Sequence, residues 1–392
     1  MHFKLNKIQF IPILTYFALT LTFSSCGESQ QENPEEIIAE TRKEYAPDKR
    51  VALFDVSYED GILVGETNLP QALEDLKNRL DERGINYLDQ VEILPNMEGD
   101  KNFGLVTISV ANIRSAPKHS AELATQATMG TPVNVLKKED GWYLIQTPDQ
   151  YISWVDAAGI EIMTQKEMEN WNEASKIVFT SLVGYVFSDE SRASMVSDLT
   201  AGNVLELLQE RGNAYEVKLP DGRIGFVDKS MSEPLHTWLA SRETSHENLI
   251  STAKNMMGVP YLWGGTSIKG VDCSGFTKTI FFLNGQVIPR DASQQIHEGE
   301  EVDREKDWEN LQVGDLLFFG KPATDTTPER VIHVGMWIGN NEFIHSRGRV
   351  RISSFDPESE HYDEYELNRY LRTKRVLGKE SQNILAVEKF IQ

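Results

Sequence analysis

Cysteine is almost absent. The 392 residues hold two, Cys26 and Cys273, which cannot build a disulfide framework, so each needs its own explanation. Net basic charge is missing as well: 60 acids face 39 bases, a formal charge of −21, and no local basic stripe offsets it. A chain this acidic repels phosphate backbones, which excludes nucleic acid as a partner. Glycine (27) and proline (15) are ordinary, so collagen-like and low-complexity readings fail. The apolar run Phe10 to Leu21 is too short to span a bilayer as a helix. No His-x-x-x-His or Cys-x-x-Cys occurs, so a zinc site has no local signature. What remains is a chain too long for one compact core, with two to four domains expected.

The first segment reads as an address. Lys4 and Lys7 precede the apolar run, and Ser24-Ser25 precede Cys26. This resembles a bacterial lipoprotein signal, with Phe23 where Leu, Val or Ile is commoner. The resemblance implies removal of residues 1–25, lipidation of Cys26 and an extracytoplasmic protein anchored to a bacterial membrane. A plain signal peptide with an incidental cysteine is the alternative. Residues 26–48 carry Glu28, Glu32, Glu35, Glu36, Glu40 and Glu44 among polar neighbours, and are expected to form a flexible acidic tether.

From 49 to 103 the pattern is strand, turn, strand, helix, strand. Val51–Phe54 and Ile62–Val64 flank Glu59-Asp60-Gly61, and Pro70 opens a helix with Leu73, Leu76 and Leu80 on one face. No chemistry is visible there. Beyond it the chain repeats: a shift of 72 positions lays 130–156 on 202–228 without a gap. Gly130, Tyr143, Pro148, Asp149, Ile152, Val155 and Asp156 meet identical residues. Both copies alternate at period two and break at Gly, Pro and Asp, which predicts two small closed β-barrels, at 104–165 and 175–236. The first carries Asn112-Ile113-Arg114-Ser115-Ala116-Pro117 and Gly141-Trp142-Tyr143, and resembles bacterial SH3-like domains. Most of its aromatics are expected in the core. Tyr151 is the exception, because the second copy has Arg223 there, which frees position 151 to act as a surface reader.

After Ser245 the texture changes. His246–Met257 reads as a helix broken at Gly258-Val259-Pro260. Tyr261-Leu262-Trp263-Gly264-Gly265 and Asp272-Cys273-Ser274-Gly275-Phe276 follow, with Phe276, Ile280 and Leu283 at helical spacing before Gly285. Cys273 therefore stands at a helix N-terminus, where the first-turn N–H groups and the dipole favour a thiolate. A thiolate nucleophile needs a base and a group that holds the base. Three buried strands are expected at 314–319, 331–339 and 342–346, with a turn at Gly339-Asn340-Asn341. Folding at that turn puts His333 and His345 nearly opposite on one sheet face.

The Tyr-x-Trp-Gly-Gly, Asp-Cys-Ser-Gly, Gly-Asp-Leu and His-Val-Gly segments occur in the order of the NlpC-type cysteine peptidases of bacterial cell walls, which residues 246–378 resemble. The resemblance implies an α+β fold: a papain-like cysteine peptidase domain preceded by two small SH3-like barrels. It implies Cys273 as nucleophile, His333 as base, His345 as orienting residue and Tyr261 beside the oxyanion, with no cofactor and no metal. Two SH3-like domains before such a domain resemble the γ-D-glutamyl-diamino-acid endopeptidases. In that group the segments matching Asp272, Ser274, Asp291 and Ser293 line the substrate site, and an aromatic and an acid of the first barrel meet the substrate's free amino end. Tyr151 matches the aromatic, and Glu122 is the candidate acid. Peptidoglycan-derived peptides are the implied partners. A cell-wall-binding SH3-like protein and an N-acetylmuramoyl-L-alanine amidase are the alternatives. The tail 379–392 carries Ile384, Leu385 and Val387 as a possible helix face.

Overall fold

The computed structural model describes residues 33–391. Cys26 and the lipoprotein signal lie outside them. Among the described residues no helix is long and apolar enough to cross a membrane.

The acidic stretch is not a tether throughout. Helix α1 (Pro34–Tyr45) starts at Asn33, whose side chain accepts from the Glu35 N–H, with Pro34 in the first turn. Its glutamates face water, while Ile37, Ile38 and Thr41 are buried. The apolar pair at positions 37–38 is enough to dock a helix once a neighbour covers it. That neighbour is α2 (Pro70–Glu82), whose buried Leu73, Leu76 and Leu80 share a core with Ile37 and Ile38. Strands β1 (Phe54–Glu59) and β2 (Ile62–Thr67) form a hairpin over Asp60-Gly61, both at positive φ. That two-residue turn lets β1 run to Glu59, so the strand expected at 51–54 starts only at Phe54. Strand β3 (Leu88–Ile93) returns parallel to β2 through α2.

The 72-residue repeat is a repeat of structure. The first copy has β4 (Phe103–Val106), β5 (Val110–Arg114), β6 (Leu123–Thr128), β7 (Pro132–Glu139), β8 (Trp142–Gln146), β9 (Ile152–Asp156) and β10 (Ile160–Met163). After α3 (Gln165–Glu173) come β11 (Lys176–Phe179), β12 (Val183–Phe187), β13 (Met195–Thr200), β14 (Val204–Arg211), β15 (Ala214–Lys218), β16 (Ile224–Asp228) and β17 (Ser232–Pro234). Tyr143 faces Val155 across β8–β9, as Tyr215 faces Val227 across β15–β16. Both sheets have seven strands in the same order, β10-β4-β7-β8-β9-β5-β6 and its counterpart. The hydrogen-bonded ring expected of a closed barrel is not seen: among the described residues no ladder joins β6 to β10, or β13 to β17.

The last unit begins with α4 (Leu235–Ser241) and α5 (His246–Asn255), then β18 (Thr266–Ser267), β19 (Gly270–Val271) and α6 (Cys273–Leu283). Next are β20 (Gln286–Val287), α7 (Ala292–Gln295), β21 (Glu300–Asp303), β22 (Leu316–Lys321), β23 (Arg330–Gly339), β24 (Glu342–Arg347) and β25 (Arg349–Ser354). They are followed by α8 (Glu364–Asn368), β26 (Tyr370–Arg375), β27 (Leu385–Ala386) and α9 (Val387–Ile391). Six strands make one antiparallel sheet, β21-β26-β22-β23-β24-β25. Phe276, Ile280 and Phe281 of α6 are fully buried in one core with Leu316, Phe318, Val334, Met336 and Ile344. The tail is a clasp: β27 pairs with β20, and Val387, Phe390 and Ile391 are buried with Trp171 and Trp238 between the units.

Candidate active site

Glycines explain why the cysteine segment has its sequence. A Cβ at Gly275 would stand 1.9 Å from the Gly265 carbonyl oxygen, and one at Gly264, which has φ of +79°, would stand 2.1 Å from the Leu123 carbonyl oxygen. The Gly264-Gly265 loop is therefore pressed between α6 and β6 of the first SH3-like unit. Asp272 caps α6 through the Gly275 N–H at 2.7 Å and holds the loop through the Gly264 N–H at 2.9 Å. Cys273 follows as the first residue of the helix and is buried.

The histidines reach one face by a route the hairpin turn alone would not provide. Asn340 and Asn341 form a two-residue turn, both at positive φ, with Gly339 opposite Glu342. Carried on unbroken, that register would put His333 and His345 on opposite faces. A one-residue bulge at Ile338 changes the parity: Trp337 faces Phe343 and Met336 faces Ile344, so His345 falls opposite Gly335 and diagonal to His333. Gly335 is required there, since a Cβ would stand 2.9 Å from Phe343 Cδ2 and 3.2 Å from His345 Cβ.

The result is a buried relay. His333 Nε2 is 2.7 Å from His345 Nδ1, and His345 Nε2 is 3.0 Å from Ser353 Oγ, which donates to Asp363 Oδ2 at 3.0 Å. The carboxylate only accepts, so the Ser353 hydroxyl gives it the proton and accepts from His345 Nε2–H. His345 Nδ1 then accepts from His333 Nε2–H, leaving His333 Nδ1 with a lone pair for the thiol. Arg351 Nε is directed at the same His345 nitrogen from 3.4 Å, a longer contact than that of Ser353, while its Nη2 donates to Asp363 at 3.2 Å. The Cys273 sulfur lies against the backbone N–H of Val334, the residue after His333.

Burial governs the charges. It pushes the Cys273 thiol up to about 12, with Asp272 adding to it and the Val334 and Ser274 N–H groups and Arg290 opposing it. It holds His333 well below its usual 6.5, and the neighbouring His345, Arg369 and Arg347 add to the effect. His345 is lowered to about 3 by burial and then by Arg351. Burial thus opposes the thiolate that the helix N-terminus and the Val334 and Ser274 N–H groups favour, and it opposes the charged form of His333 as well. Tyr261 is half-buried, and burial and the adjacent Cys273 and Asp272 raise its pKa, so its O–H remains a donor.

A neutral, buried histidine makes the fold sensitive to acid. Below the unfolded pKa near 6.5 the unfolded chain takes a proton at position 345 that the native chain refuses. Stability is thus complete above pH 6.5 and falls below it by roughly 1.4 kcal/mol per pH unit from this residue. Urea melts of the protein and of His345→Gln at pH 7 and pH 5 check this. The variant is expected to lose less stability over that interval, and equal losses would contradict the assignment.

Glu366 is a third buried ligand-type side chain near the pair, 3.9 Å from His333 Nε2. Arg369 grips it through three nitrogen–oxygen contacts at 2.8–2.9 Å, and Arg347 approaches to 3.5 Å. Two guanidinium groups thus engage Glu366 and the two histidines are bonded to each other, so all three side chains already have protein partners.

The expected substrate residues divide. Asp272 accepts from Gly264, Gly275 and, in a buried ion pair, from Arg290. Ser274 also accepts from Arg290, at 3.0 Å, and Arg290 donates on to Thr125 of β6. Asp272 and Ser274 thus shape the wall beside Cys273, and Asp272 keeps no lone pair free for a substrate. Tyr151 is not a surface residue: it is buried at the junction, its hydroxyl 3.4 Å from Asp291 Oδ2. Glu122 precedes β6, is exposed and accepts from Trp263 Nε1 at 2.6 Å. Asp291 and Ser293 both receive Nη1 of Arg50, at 2.8 and 3.0 Å. Sequence reasoning missed Arg50, whose partner Asp291 lies 241 positions away, and Ser353, Asp363 and Glu366, which no motif marks. A buried Lys278–Asp149 ion pair fastens the units together.

A buried thiol at a helix N-terminus, a two-histidine relay and a tyrosine donor beside the sulfur define a cysteine peptidase. The chain belongs to the NlpC/P60 family, whose model matches residues 258–374, while a bacterial SH3 domain model matches 109–161. A gamma-D-glutamyl-L-lysine dipeptidyl-peptidase of Bacillus cereus is 31% identical over 233 residues, 57% of this chain and 67% of that protein. One of Bacillus subtilis is 28% identical over 265 residues, 64% and 78% of the two chains. The crystal structure of an NlpC/P60 family protein from Bacillus cereus matches with a TM-score of 0.59 at 25% identity, covering 70% of this chain and 99% of that one.

Proposed function

We propose that this peptidase hydrolyses the γ-D-glutamyl–diamino acid bond of peptidoglycan stem peptides, in fragments whose N-terminal L-alanine is free. The observation that carries the reading is the junction where the first SH3-like unit puts Tyr151 and Glu122 beside the wall of the cysteine site. A unit placed there limits how far a substrate extends on its acyl side. The names of the Bacillus relatives support the bond type.

In the first step the Cys273 proton passes to His333 Nδ1 as the sulfur attacks the γ-carbonyl carbon. The oxyanion is met by the Cys273 backbone N–H and the Tyr261 hydroxyl. The C–N bond then breaks, the leaving amine takes the proton from His333, and a thioester remains. Water, losing its proton to His333, releases the acid and restores the thiol. His345 takes no proton from the substrate. It holds the His333 ring and, backed by Ser353 and Asp363, stabilises the transient imidazolium.

The location we propose is extracytoplasmic, tethered to a membrane through a lipid on Cys26. Replacing Cys26 by serine is expected to move the protein from the membrane to the soluble fraction, and unchanged partitioning would reject the anchor. The bond is tested by mass spectrometry of products from a defined muropeptide and from L-Ala-γ-D-Glu-diamino acid peptides. Release of the free diamino acid end supports the reading. A product cut between the lactyl group and L-alanine would replace it with an amidase.

A further inference from the structure

Asp48 and Arg50 belong to the N-terminal α/β unit, yet they sit at the substrate wall. The Arg50 carbonyl accepts from the Ile152 N–H at 2.7 Å, next to Tyr151. Its guanidinium grips Asp48 through Nε and Nη2, both at 2.7 Å, and reaches Asp291 and Ser293 through Nη1. Gln294 Nε2 donates to Asp48 Oδ2 at 2.9 Å and closes the ring. The Asp291 oxygen that takes Arg50 is also the one that faces the Tyr151 hydroxyl.

From this we propose that Arg50 is a specificity-determining residue: it occupies Asp291 with a cation supplied by the protein itself and so sets the charge of the cleft end that receives the substrate's ammonium group. The inference rests on the free-amine reading above. With Asp291 engaged, Glu122, exposed and bonded through its side chain to Trp263, is the acid open to the substrate. The trio Asp48, Arg50 and Asp291 carries one net negative charge. Removing Arg50 leaves the two carboxylates of Asp48 and Asp291, which attract an ammonium. Removing the Asp48 charge leaves Arg50 and Asp291 as a neutral pair.

Opposite signs follow, which a merely structural role would not produce. For the free tripeptide, Arg50→Gln is expected to lower KM and Asp48→Asn to raise it, each by about tenfold for one charge at about 6 Å in a half-wet site, with kcat little changed. For the N-acetylated tripeptide both variants are expected to leave KM within about twofold. Arg50→Lys, which keeps a cation, is expected to resemble the parent. The parent protein is measured first: equal kcat/KM for free and acetylated peptide removes the free-amine reading, and this inference with it. If the parent discriminates but the two variants shift KM in the same direction, or not at all, Arg50 is only a strut. Should Arg50→Gln fail to fold, the sign of the Asp48→Asn shift decides alone.

Discussion

Cys273→Ala is expected to abolish turnover, by about 10⁴-fold or more, with thermal stability changed little. The side chain is small and buried beside Phe276 and Val334, so losing the sulfur leaves a cavity smaller than a methylene deletion in a large core residue. Measurable hydrolysis by the variant under single-turnover conditions would reject the covalent route. The resting state of the thiol has its own signature. Burial pushes the Cys273 thiol up and holds His333 below its usual range, and both shifts act against a thiolate–imidazolium pair in the free enzyme at neutral pH. The rate of inactivation by iodoacetamide is therefore expected to climb about tenfold per pH unit from 7 to 10. A plateau reaching down to pH 5 would indicate the ion pair instead. Catalysis at pH 7 is compatible with the neutral pair, because the proton moves to His333 only as the sulfur attacks, and the polar substrate and oxyanion donors then offset the desolvation that keeps the site neutral.

The parts of this site visible in the sequence are those with local or periodic signals. Cys273 announces itself through Asp272 as cap and Gly275 as the residue that lets the helix touch Gly265. The two SH3-like units announce themselves because one folding solution is written twice, 72 residues apart, down to the same strand boundaries from β6 to β9 and from β13 to β16. His333 and His345 are legible as a pair, but the reason they share a face is not. It depends on the bulge at Ile338, a residue with no feature to mark it, which corrects the parity set by the Asn340-Asn341 turn. Helix α1 is hidden because glutamates on its wet face dominate the composition, while two isoleucines do the docking. Arg50 is hidden for another reason. In a chain that is one-quarter charged, any arginine has many carboxylates to choose from, and only the fold selects Asp291, 241 positions away. Long-range ion pairs leave no trace in local pattern, so Cys273 and the two histidines could be read and the arginine at the junction could not.

N-acetylation of the substrate is expected to cost about 10²- to 10³-fold in kcat/KM. Two effects contribute. The acetyl group adds bulk at an end walled by the buried Tyr151, whose ring is fixed by the junction and whose hydroxyl is committed toward Asp291. It also removes the positive charge that Glu122 would pair with. A fully dry acid left without its cation would give discrimination of about 10⁴ or more. Glu122 is exposed and Trp263 is 61% exposed, so water takes up part of that loss and the expected ratio is smaller. The two contributions separate by mutation. Glu122→Gln should raise KM for the free tripeptide by about tenfold and leave the acetylated one unmoved, because only the former brings a charge. Tyr151→Ala should instead improve the acetylated peptide relative to the free one, because the wall recedes while the acid stays. Intact peptidoglycan carries a sugar-linked lactyl amide in place of the small acetyl group, and is expected to be cut more slowly than either peptide. A ratio of one between free and acetylated tripeptide, with Tyr151 and Glu122 both intact, would mean that the first SH3-like unit does not close the acyl end of the cleft.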